Sequence, residues 1–517
     1  MKQYIYIVKI FVLIIGTSSA FLIESKLPKL SRQNKGIKFI NNFRMQNNNK
    51  NVRKNNAIVS WTKEKGILLY DIPATPDIWT IAIVYFIQGL FSICGLALSF
   101  FYKDTLHLSP ADLTIISSIS SIPWIIKPFY GFISDTFPLF GYKRKSYIMI
   151  SGLIATISWL FLANLATLIN NGNDINMIIA TCSSVFLVTM SSLGLAFSDV
   201  IVDAIVVSKS RDQDKAGSLQ SICWTFSSIG SIISAYFSGH LLQNYGTSFV
   251  FYLTAAIPTA MIATAGLINE KKIENEKKTD IEIYNNENVT KEKPFQLLKT
   301  QFSNIKDTLS KESIFYPLLF LIIWNVTPSA GSSLFYFEVN ELGFTPEFFG
   351  KLGLASSLSS LLGIVIYNKK LKNIPLRDIF KWSCLSGTIL GILPLMLVTH
   401  FNRTIGLPDT WFAMFDSVIL SILGQITFMP VLVLAANICP PGVEGMLYAT
   451  MMSANNLSGN IGRLFGGGLT KIMGITNSDF TNLPWLLLIT NLSGLIPLMF
   501  LHYIPDERKK DIDNDKI

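Results

Sequence analysis

The chain has 517 residues, of which 50% are hydrophobic and 15% are charged, a balance that excludes a soluble domain because a water-facing surface needs more charge. We therefore expect a membrane protein. The net charge of +9 does not indicate a nucleic-acid partner, because residues 21–63 hold ten Lys and Arg against one acid, Glu24, and the rest of the chain sums to zero.

The N-terminal residues 1–20 have the layout of a secretory signal, with lysines near the start, an apolar stretch and a small-residue end. Residues 21–75 form a basic leader that is rich in Asn and Lys, cannot bury a core and is predicted to be disordered. Such a pair is similar to the two-part leader of proteins sent to a secondary plastid, which predicts an apicoplast membrane. The alternative is a weak signal with an Asn-rich cytosolic tail, which leaves the plasma membrane as the location.

Twelve apolar segments, numbered span 1 to span 12 here, are long enough to cross about 30 Å of hydrocarbon. Six lie near residues 79–101, 112–134, 146–169, 175–207, 217–239 and 247–268. The other six lie near residues 314–338, 346–367, 376–399, 408–437, 442–470 and 481–503. The sequence therefore predicts an all-α membrane protein with two six-helix bundles, residues 76–268 and 312–504, joined by a charged linker, 269–311, and followed by a charged tail, 505–517.

The two halves share a pattern that indicates a repeat. Three glycines around span 5 recur 228 residues later around span 11, Gly217, Gly239 and Gly246 becoming Gly445, Gly467 and Gly474. Spans 2 and 8 both start with a hydroxyl residue and a proline, Ser109-Pro110 and Thr345-Pro346, which predicts a helix cap followed by proline at the first helical position. We expect the two bundles to be pseudo-symmetric.

The basic residues of the loops predict the orientation. Even-numbered loops hold twenty Lys and Arg, whereas odd-numbered loops hold three. Both ends and the linker are therefore expected to face the cytosol or its equivalent. A cleaved secretory signal would leave the N-terminus on the opposite side, a conflict that either re-import into a plastid or an uncleaved signal removes.

The five cysteines favour neither a metal site nor disulfides. Each lies alone in or beside an apolar segment, and the chain has no CxxC motif: Cys94, Cys182, Cys223, Cys384 and Cys439. We interpret them as small packing residues, and we expect no metal and no cofactor.

The turn between spans 2 and 3, within residues 127–147, carries an acid, two glycines and a basic cluster, the residues being Gly131, Asp135, Gly141, Lys143, Arg144 and Lys145. This pattern resembles the loop between spans 2 and 3 of the major facilitator superfamily, where it implies gate machinery. The alternative is a basic loop that only sets topology. The Thr-Phe-Pro-Leu-Phe insert in the turn is similar to the folate-biopterin transporter family, as are residues 198–211, 217–224, 327–354 and 416–445.

Protozoan and plastid-type members of that family are the most similar. The resemblance implies a major facilitator fold with twelve helices and a monomer in lipid that moves folates or pterins by alternating access, with protons as the coupling partner. The cargo could instead be another organic anion. Nothing in the sequence supports an enzyme or a membrane-embedded sensor, because no metalloprotease motif, phosphate loop or large soluble domain is present.

A folate needs cations for its two carboxylates, an acid or amide for its pterin edge, and aromatic walls. Charges within spans are costly and face the interior of the bundle. These rules select seven candidate substrate-binding residues: Lys127, Asp199, Asp203, Gln220, Trp224, Asn325 and Arg463. Four acids are candidates for proton coupling: Asp199, Asp203, Glu338 and Asp416.

Several of these assignments have structural alternatives. Asp199 and Asp203 lie four apart on span 4 and share one face, where they could instead form a gate pair with Lys127 or Lys143. Lys127 could snorkel to the interface.

Other candidates near or within the second half also have open alternatives. Arg463 could form a structural bridge, and Asp416 could be the cap of span 10. The family pattern has an acid where this chain has Gly331, so Glu338 is the candidate that would replace that acid.

Overall fold

The computed structural model describes residues 68–69, 72–211, 216–270, 272, 307, 309–371, 374–438 and 444–504. The signal-like segment, most of the leader, most of the linker and the charged tail lie outside these residues. The regular elements of the described part are helices, apart from one short antiparallel hairpin in which Leu68–Leu69 pairs with Ile72–Pro73.

The helices of the first half follow the predicted spans 1 to 6. Their bounds are Pro76–Leu90, Ile93–Phe100, the π-helical turn Phe101–Thr105, Pro110–Ser120, the 3₁₀ turn Ile122–Trp124, Lys127–Thr136, Lys145–Asn170, Met177–Arg211, Ala216–Ala256, Thr259–Thr264 and Ala265–Leu267.

The helices of the second half follow spans 7 to 12. Their bounds are Glu312–Asn325, Gly331–Asn340, Pro346–Ile366, the π-helical turn Tyr367–Leu371, Leu376–Leu390, Leu393–Val398, Phe401–Thr404, Asp409–Ile438, Glu444–Ile472, Leu483–Ser493 and the 3₁₀ segment Ile496–Tyr503.

Eight helical stretches among the described residues are long and apolar enough to cross a membrane. One of them, Ser221–Leu267, contains both span 5 and span 6. Spans 2 and 7 fall short because their helices are interrupted, and span 11 falls short because its helix, Glu444–Ile472, carries many polar side chains. Each of the twelve predicted segments is therefore helical.

Gly246 divides the long helix of spans 5 and 6, because its φ of 77° and ψ of 176° are not helical. Span 5 contacts span 1 first at Trp79 and then at Leu90, so it runs parallel to span 1. Span 6 contacts span 1 first at Phe101 and last at Asp77, so it runs antiparallel. The chain therefore reverses at this glycine, the residue type that adopts a positive φ without a steric penalty.

The predicted repeat places matching glycines at matching contacts. A Cβ atom on Gly239 of span 5 would lie 2.2 Å from the carbonyl oxygen of Pro346 at the start of span 8. A Cβ atom on Gly467 of span 11 would lie 3.1 Å from Thr114 at the start of span 2. Spans 5 and 8 thus meet as spans 11 and 2 do, which supports the pseudo-symmetric arrangement.

The caps of spans 2 and 8 form as the sequence predicts. The backbone N–H of Asp112 donates to Ser109 Oγ over 3.2 Å, and the Asp112 carboxylate accepts from the Ser109 N–H in return, which completes a capping box. The Phe348 N–H donates to Thr345 Oγ1 over 3.3 Å. Both helices then continue from a proline at the first helical position.

The end of the predicted leader belongs to the folded bundle. Ile72 is 1% exposed and Ala74 is fully buried, and Ile72 joins the main hydrophobic cluster of the first half. Disorder predicted as far as residue 75 is therefore wrong for these last residues, because their apolar side chains pack on the helices that follow.

One set of contacts between the two halves lies at the end of the bundle opposite the loop of residues 137–144. We call that loop's side the basic-loop end and the opposite side the far end. The contacts across the far end include Tyr336 Oη to the Leu108 carbonyl at 2.7 Å, Thr114 to Ser332 at 2.8 Å, and the ring pair Phe100–Phe335 at 5.4 Å. Together with the Gly239–Pro346 contact they form the far-end seal.

Candidate functional site

A break in span 2 positions the site. The α-helix ends at Ser120, and the 3₁₀ turn Ile122–Trp124 contains Pro123, which has no backbone N–H to continue an α-helix. At this break the Ser121 hydroxyl and the Trp124 carbonyl face span 11, whereas the Trp124 indole lies beside span 4.

Lys127 and Asp199 form a buried ion pair behind this turn. Lys127 Nζ lies 2.5 Å from Asp199 Oδ2, and the two residues are 9% and 6% exposed. Gln88 of span 1 donates to the other oxygen of Asp199 over 3.1 Å, and the ammonium group lies 4.7 Å from the centre of the Trp124 ring. The alternative that Lys127 snorkels to the interface is therefore wrong, because its charge points inward to an acid.

Asp203 lies one turn further along the same face of span 4, as its spacing from Asp199 predicts. Its carboxylate accepts a hydrogen bond of 2.6 Å from the hydroxyl of Tyr85 on span 1. Ser192, on the same span, accepts a bond of 3.0 Å from the indole N–H of Trp124. Spans 1, 2 and 4 thereby hold both acids. Of the two lysines named as alternative partners, Lys127 binds Asp199, whereas the backbone of Lys143 binds Glu270.

Span 11 presents three polar side chains to this region at positions i, i+4 and i+7, which share one face of a helix. Asn456 donates to the carbonyl of Trp124 over 3.1 Å, and Arg463 donates to Ser121 Oγ over 3.2 Å. Asn460 donates to the Ser118 carbonyl, and its side-chain oxygen accepts bonds from Ser121 and Arg463. We call this contact between the halves the polar seam.

The two cations of the site, Lys127 and Arg463, differ in whether an acid neutralises them. Lys127 is neutralised by Asp199, whereas Arg463 donates hydrogen bonds to Ser121 and Asn460, both uncharged. Among the described residues Arg463 has no acidic partner. Because an uncompensated cation within a span favours an anion beside it, this guanidinium can bind a carboxylate between the two halves.

Three other predicted binding residues are not part of the polar seam as far as the structure describes them, and only Trp224 contacts the opposite half. Asn325 of span 7 donates to Asn455 of span 11 over 2.7 Å. The Trp224 ring of span 5 packs against Phe428 of span 10 at 5.7 Å. The Gln220 side chain lies outside the described residues.

Glu338 and Asp416 lie in the second half and take no part in the polar seam. Span 10 begins at Asp409, so Asp416 lies within the helix and the alternative that it caps span 10 is wrong. Asp416 is 7% exposed. The four acids proposed for proton coupling therefore fall into two groups, one in each half.

The turn between spans 2 and 3 is held together within the first half. Arg144 pairs with Asp135 at 2.7 Å, and Gly141 has a φ of 83°, which favours glycine. Gly131 lies within the helix Lys127–Thr136, and Lys145 lies 5.6 Å above the Tyr142 ring. This loop is thus ordered by its own acid and base.

Glu270, at the end of span 6, binds the start of span 3. Its carboxylate accepts from the backbone N–H groups of Lys143, Arg144 and Lys145 over 2.5 to 3.1 Å. The first N–H groups of a helix have no intrahelical acceptor and favour a negative charge. The link between the two halves therefore begins fastened to the predicted gate loop.

Sequence reasoning missed several residues of the site: Tyr85, Gln88, Trp124, Asn456, Asn460 and Glu270. The span 11 set carried a signal, since three polar residues recur at helical spacing within an apolar segment. Uncharged side chains such as Tyr85 carried none, because they are common in membrane helices for other reasons.

The model of the BT1 family matches residues 88–517. The chain belongs to the BT1 family. This BT1 member is 40% identical over 449 residues to the folate-biopterin transporter of Synechocystis sp., covering 86% of this chain and 85% of that protein. It is 30% identical over 431 residues to folate transporter 1 of Plasmodium falciparum, covering 83% of this chain and 79% of that one.

Solved structures with the same fold include nucleoside transporter NupG, with a TM-score of 0.59 at 13% identity over 83% of this chain and 100% of that one. A D-xylose-proton symporter has a TM-score of 0.58 at 14% identity over 83% of this chain and 98% of that one. This BT1 member is thus a multi-pass membrane transporter with the major facilitator fold, and it is not an enzyme. The predicted family and fold are confirmed.

Proposed function

We propose that this protein moves folates or pterins across a membrane, binding them between its two halves at the polar seam. The observation that carries the proposal is the guanidinium of Arg463, which has no acidic partner among the described residues and bonds across to span 2, the span that also carries Lys127, the partner of the buried Asp199. The names of its BT1 relatives support the same cargo.

Different residues of the site suit different chemical groups of a folate. Arg463 is suited to a carboxylate of the glutamate tail, because guanidinium and carboxylate can share two hydrogen bonds. Asp203 and Asn456 offer an acceptor and an amide to the donor and acceptor edge of a pterin ring. The Trp124 ring is a flat surface against which that ring can stack.

Transport at such a site proceeds by alternating access, with the halves opening in turn at each end. The far-end seal corresponds to the state in which that end is closed. We further propose that the protein works as a monomer with protons as the coupling ion. The signal-like segment and basic leader support an apicoplast membrane as its location, with the plasma membrane as the alternative.

A second candidate cargo is another organic anion, which the same uncompensated charge of Arg463 favours. The two cargoes differ in what else they need. A pterin requires the polar seam to bind a ring edge, whereas a simple anion requires Arg463 alone.

Uptake into liposomes containing the full chain tests these proposals. Folate carries a glutamate tail and biopterin does not, so Arg463→Gln should reduce folate uptake by about 10- to 150-fold, the range for one charged hydrogen-bonding contact of about 1.5 to 3 kcal/mol. Biopterin uptake should stay within about threefold, since it loses no such contact. Lys471→Gln, at the exposed end of the same span, is the matched control and should change neither.

Two results would contradict the proposals. If the unaltered protein carries neither folate nor biopterin but carries a smaller organic anion, the cargo is wrong. If Arg463→Gln lowers folate and biopterin uptake equally, the guanidinium does not bind the tail.

A further inference from the structure

The second half contains two acids that the polar seam does not use, Glu338 of span 7 and Asp416 of span 10. Asp416 is 7% exposed, and its Oδ1 atom has no hydrogen-bond partner among the described residues. A buried carboxylate oxygen without a donor costs free energy as an anion and is stable when a proton or cation binds it.

Packing brings Glu338 to the same region. Its backbone carbonyl accepts the N–H of Phe344 over 2.9 Å. Phe344 shares a buried cluster with Phe412 and Ala413, which lie one helical turn before Asp416. Glu338 on span 7 and Asp416 on span 10 thus flank the same buried cluster.

The charged groups around this pair are already partnered or lie apart from it. Within the described residues, three nearby ion pairs are closed on themselves: Glu347–Lys351 at 3.0 Å on span 8, Arg403–Asp409 at 2.7 Å before and at the start of span 10, and Lys103–Asp104 at 2.6 Å at the end of span 1. His400 packs against Phe337 at 6.0 Å. The other charged residues of spans 9 and 11, apart from Arg463, are Arg377, Asp378, Lys381, Lys471 and Glu444, and the Glu444 side chain lies outside the described residues.

Span 7 joins these acids to the far-end seal. Ser332, Phe335 and Tyr336 make its contacts with the first half, and Glu338 follows within the next turn of the same helix. A change of charge at Glu338 therefore acts on the helix that closes this end.

We propose that Glu338 and Asp416 form the coupling site, a pair of acids that takes up one proton, while the acids of the first half hold substrate. The inference rests on the proposed function. The pair takes up a proton from the solution at the far end and loses it to solution at the other end, so that one carboxylate becomes a carboxylic acid and then an anion again.

The test separates coupling from binding. In liposomes with the full chain, the unaltered protein should concentrate folate when the far side is acidic, and should also exchange internal for external folate. Glu338→Gln and Asp416→Asn should each lose at least tenfold of the accumulation driven by the pH gradient, yet keep exchange within about threefold. Retained exchange also shows that the variants fold.

Two controls define the assignment. Glu341→Gln changes an exposed acid three residues from Glu338 and should leave accumulation intact, and His400→Gln should do so as well. If His400→Gln alone abolishes accumulation, or if both acid variants still accumulate folate, the proposal is overturned. Accumulation driven by a sodium gradient in place of the pH gradient would also overturn it.

A measurement on the unaltered protein avoids reliance on variants. Dicyclohexylcarbodiimide reacts with protonated carboxyl groups in apolar surroundings, so mass spectrometry should find its adduct on Glu338 or Asp416 at acidic pH and less of it as the pH rises. Absence of an adduct on both residues at acidic pH would refute the proton site. Absence of any folate or biopterin exchange would instead refute the proposed function.

Discussion

Adding one methyl group at Gly239 is a direct test of the far-end seal. The Cβ atom of an alanine there would lie 2.2 Å from the Pro346 carbonyl oxygen and 2.9 Å from the Cα atom of Gly350. The contacting atoms are backbone and cannot rotate away, so spans 5 and 8 must separate by about 1 Å to restore normal contact.

This separation has a free-energy cost only while the far end is closed. Overpacking at a tight contact costs about 1 to 3 kcal/mol, so Gly239→Ala should shift the equilibrium towards the open far end by about 5- to 150-fold. Gly468→Ala is the matched control, because it adds the same methyl group to a membrane helix where nothing lies within 4 Å.

The assay follows the exposure of Ser332, which bonds to Thr114 across the seal. Ser332→Cys is introduced into a variant whose five native cysteines are replaced by alanine. In nanodiscs, the new thiol is then labelled with a membrane-impermeant maleimide. Labelling should accelerate in Gly239→Ala and stay unchanged in Gly468→Ala. Equal labelling rates in the two variants would refute the reasoning that this glycine contact closes the far end.

Two further variants test the electrostatics of the first half by thermal unfolding in detergent. Lys127→Met should destabilise the protein by about 3 to 5 kcal/mol, because it leaves Asp199 buried without its cation. Adding Asp199→Asn should recover at least half of that loss in stability. A double variant less stable than the single one would contradict this reasoning. Glu270→Ala removes the acceptor of three N–H groups at the start of span 3 and should lower the free energy of unfolding by about 1 to 2 kcal/mol. Glu341→Ala changes an exposed acid and should lower it little. Equal losses of stability in the two variants would rule out Glu270 as the cap of span 3.

The spans, their caps and their repeat were predictable from local patterns. Crossing a bilayer requires about 20 apolar residues with internally satisfied backbone groups, and that requirement is visible in the sequence. Ser109 and Thr345 cap their helices because the hydroxyl and the following proline act only on their own turn. The match of Gly246 to Gly474 in the predicted repeat marked Gly246 in the sequence, and both glycines have a positive φ.

Some local features were less predictable. The interruption of span 2 at residues 121–126 is invisible to hydropathy, although Pro123 and Pro128 mark it. The buried end of the leader was missed because Ile72 and Ala74 are too few to form an apolar segment of their own. Composition averages over many residues and does not resolve either feature.

The sequence by itself determined which residues of span 4 share a face, since Asp199 and Asp203 are four apart on one helix. Only the tertiary structure decided their partners, Lys127 for one and Tyr85, 118 positions away in the chain, for the other. Within the described parts of the chain it also left Arg463 beside the first half without an acidic partner, and it separated Glu338 and Asp416 from the polar seam. The period of a helix determines which of its side chains share a face. Which opposite charges pair depends on how two helix surfaces pack, because residues that are distant in the chain come into contact only through that packing.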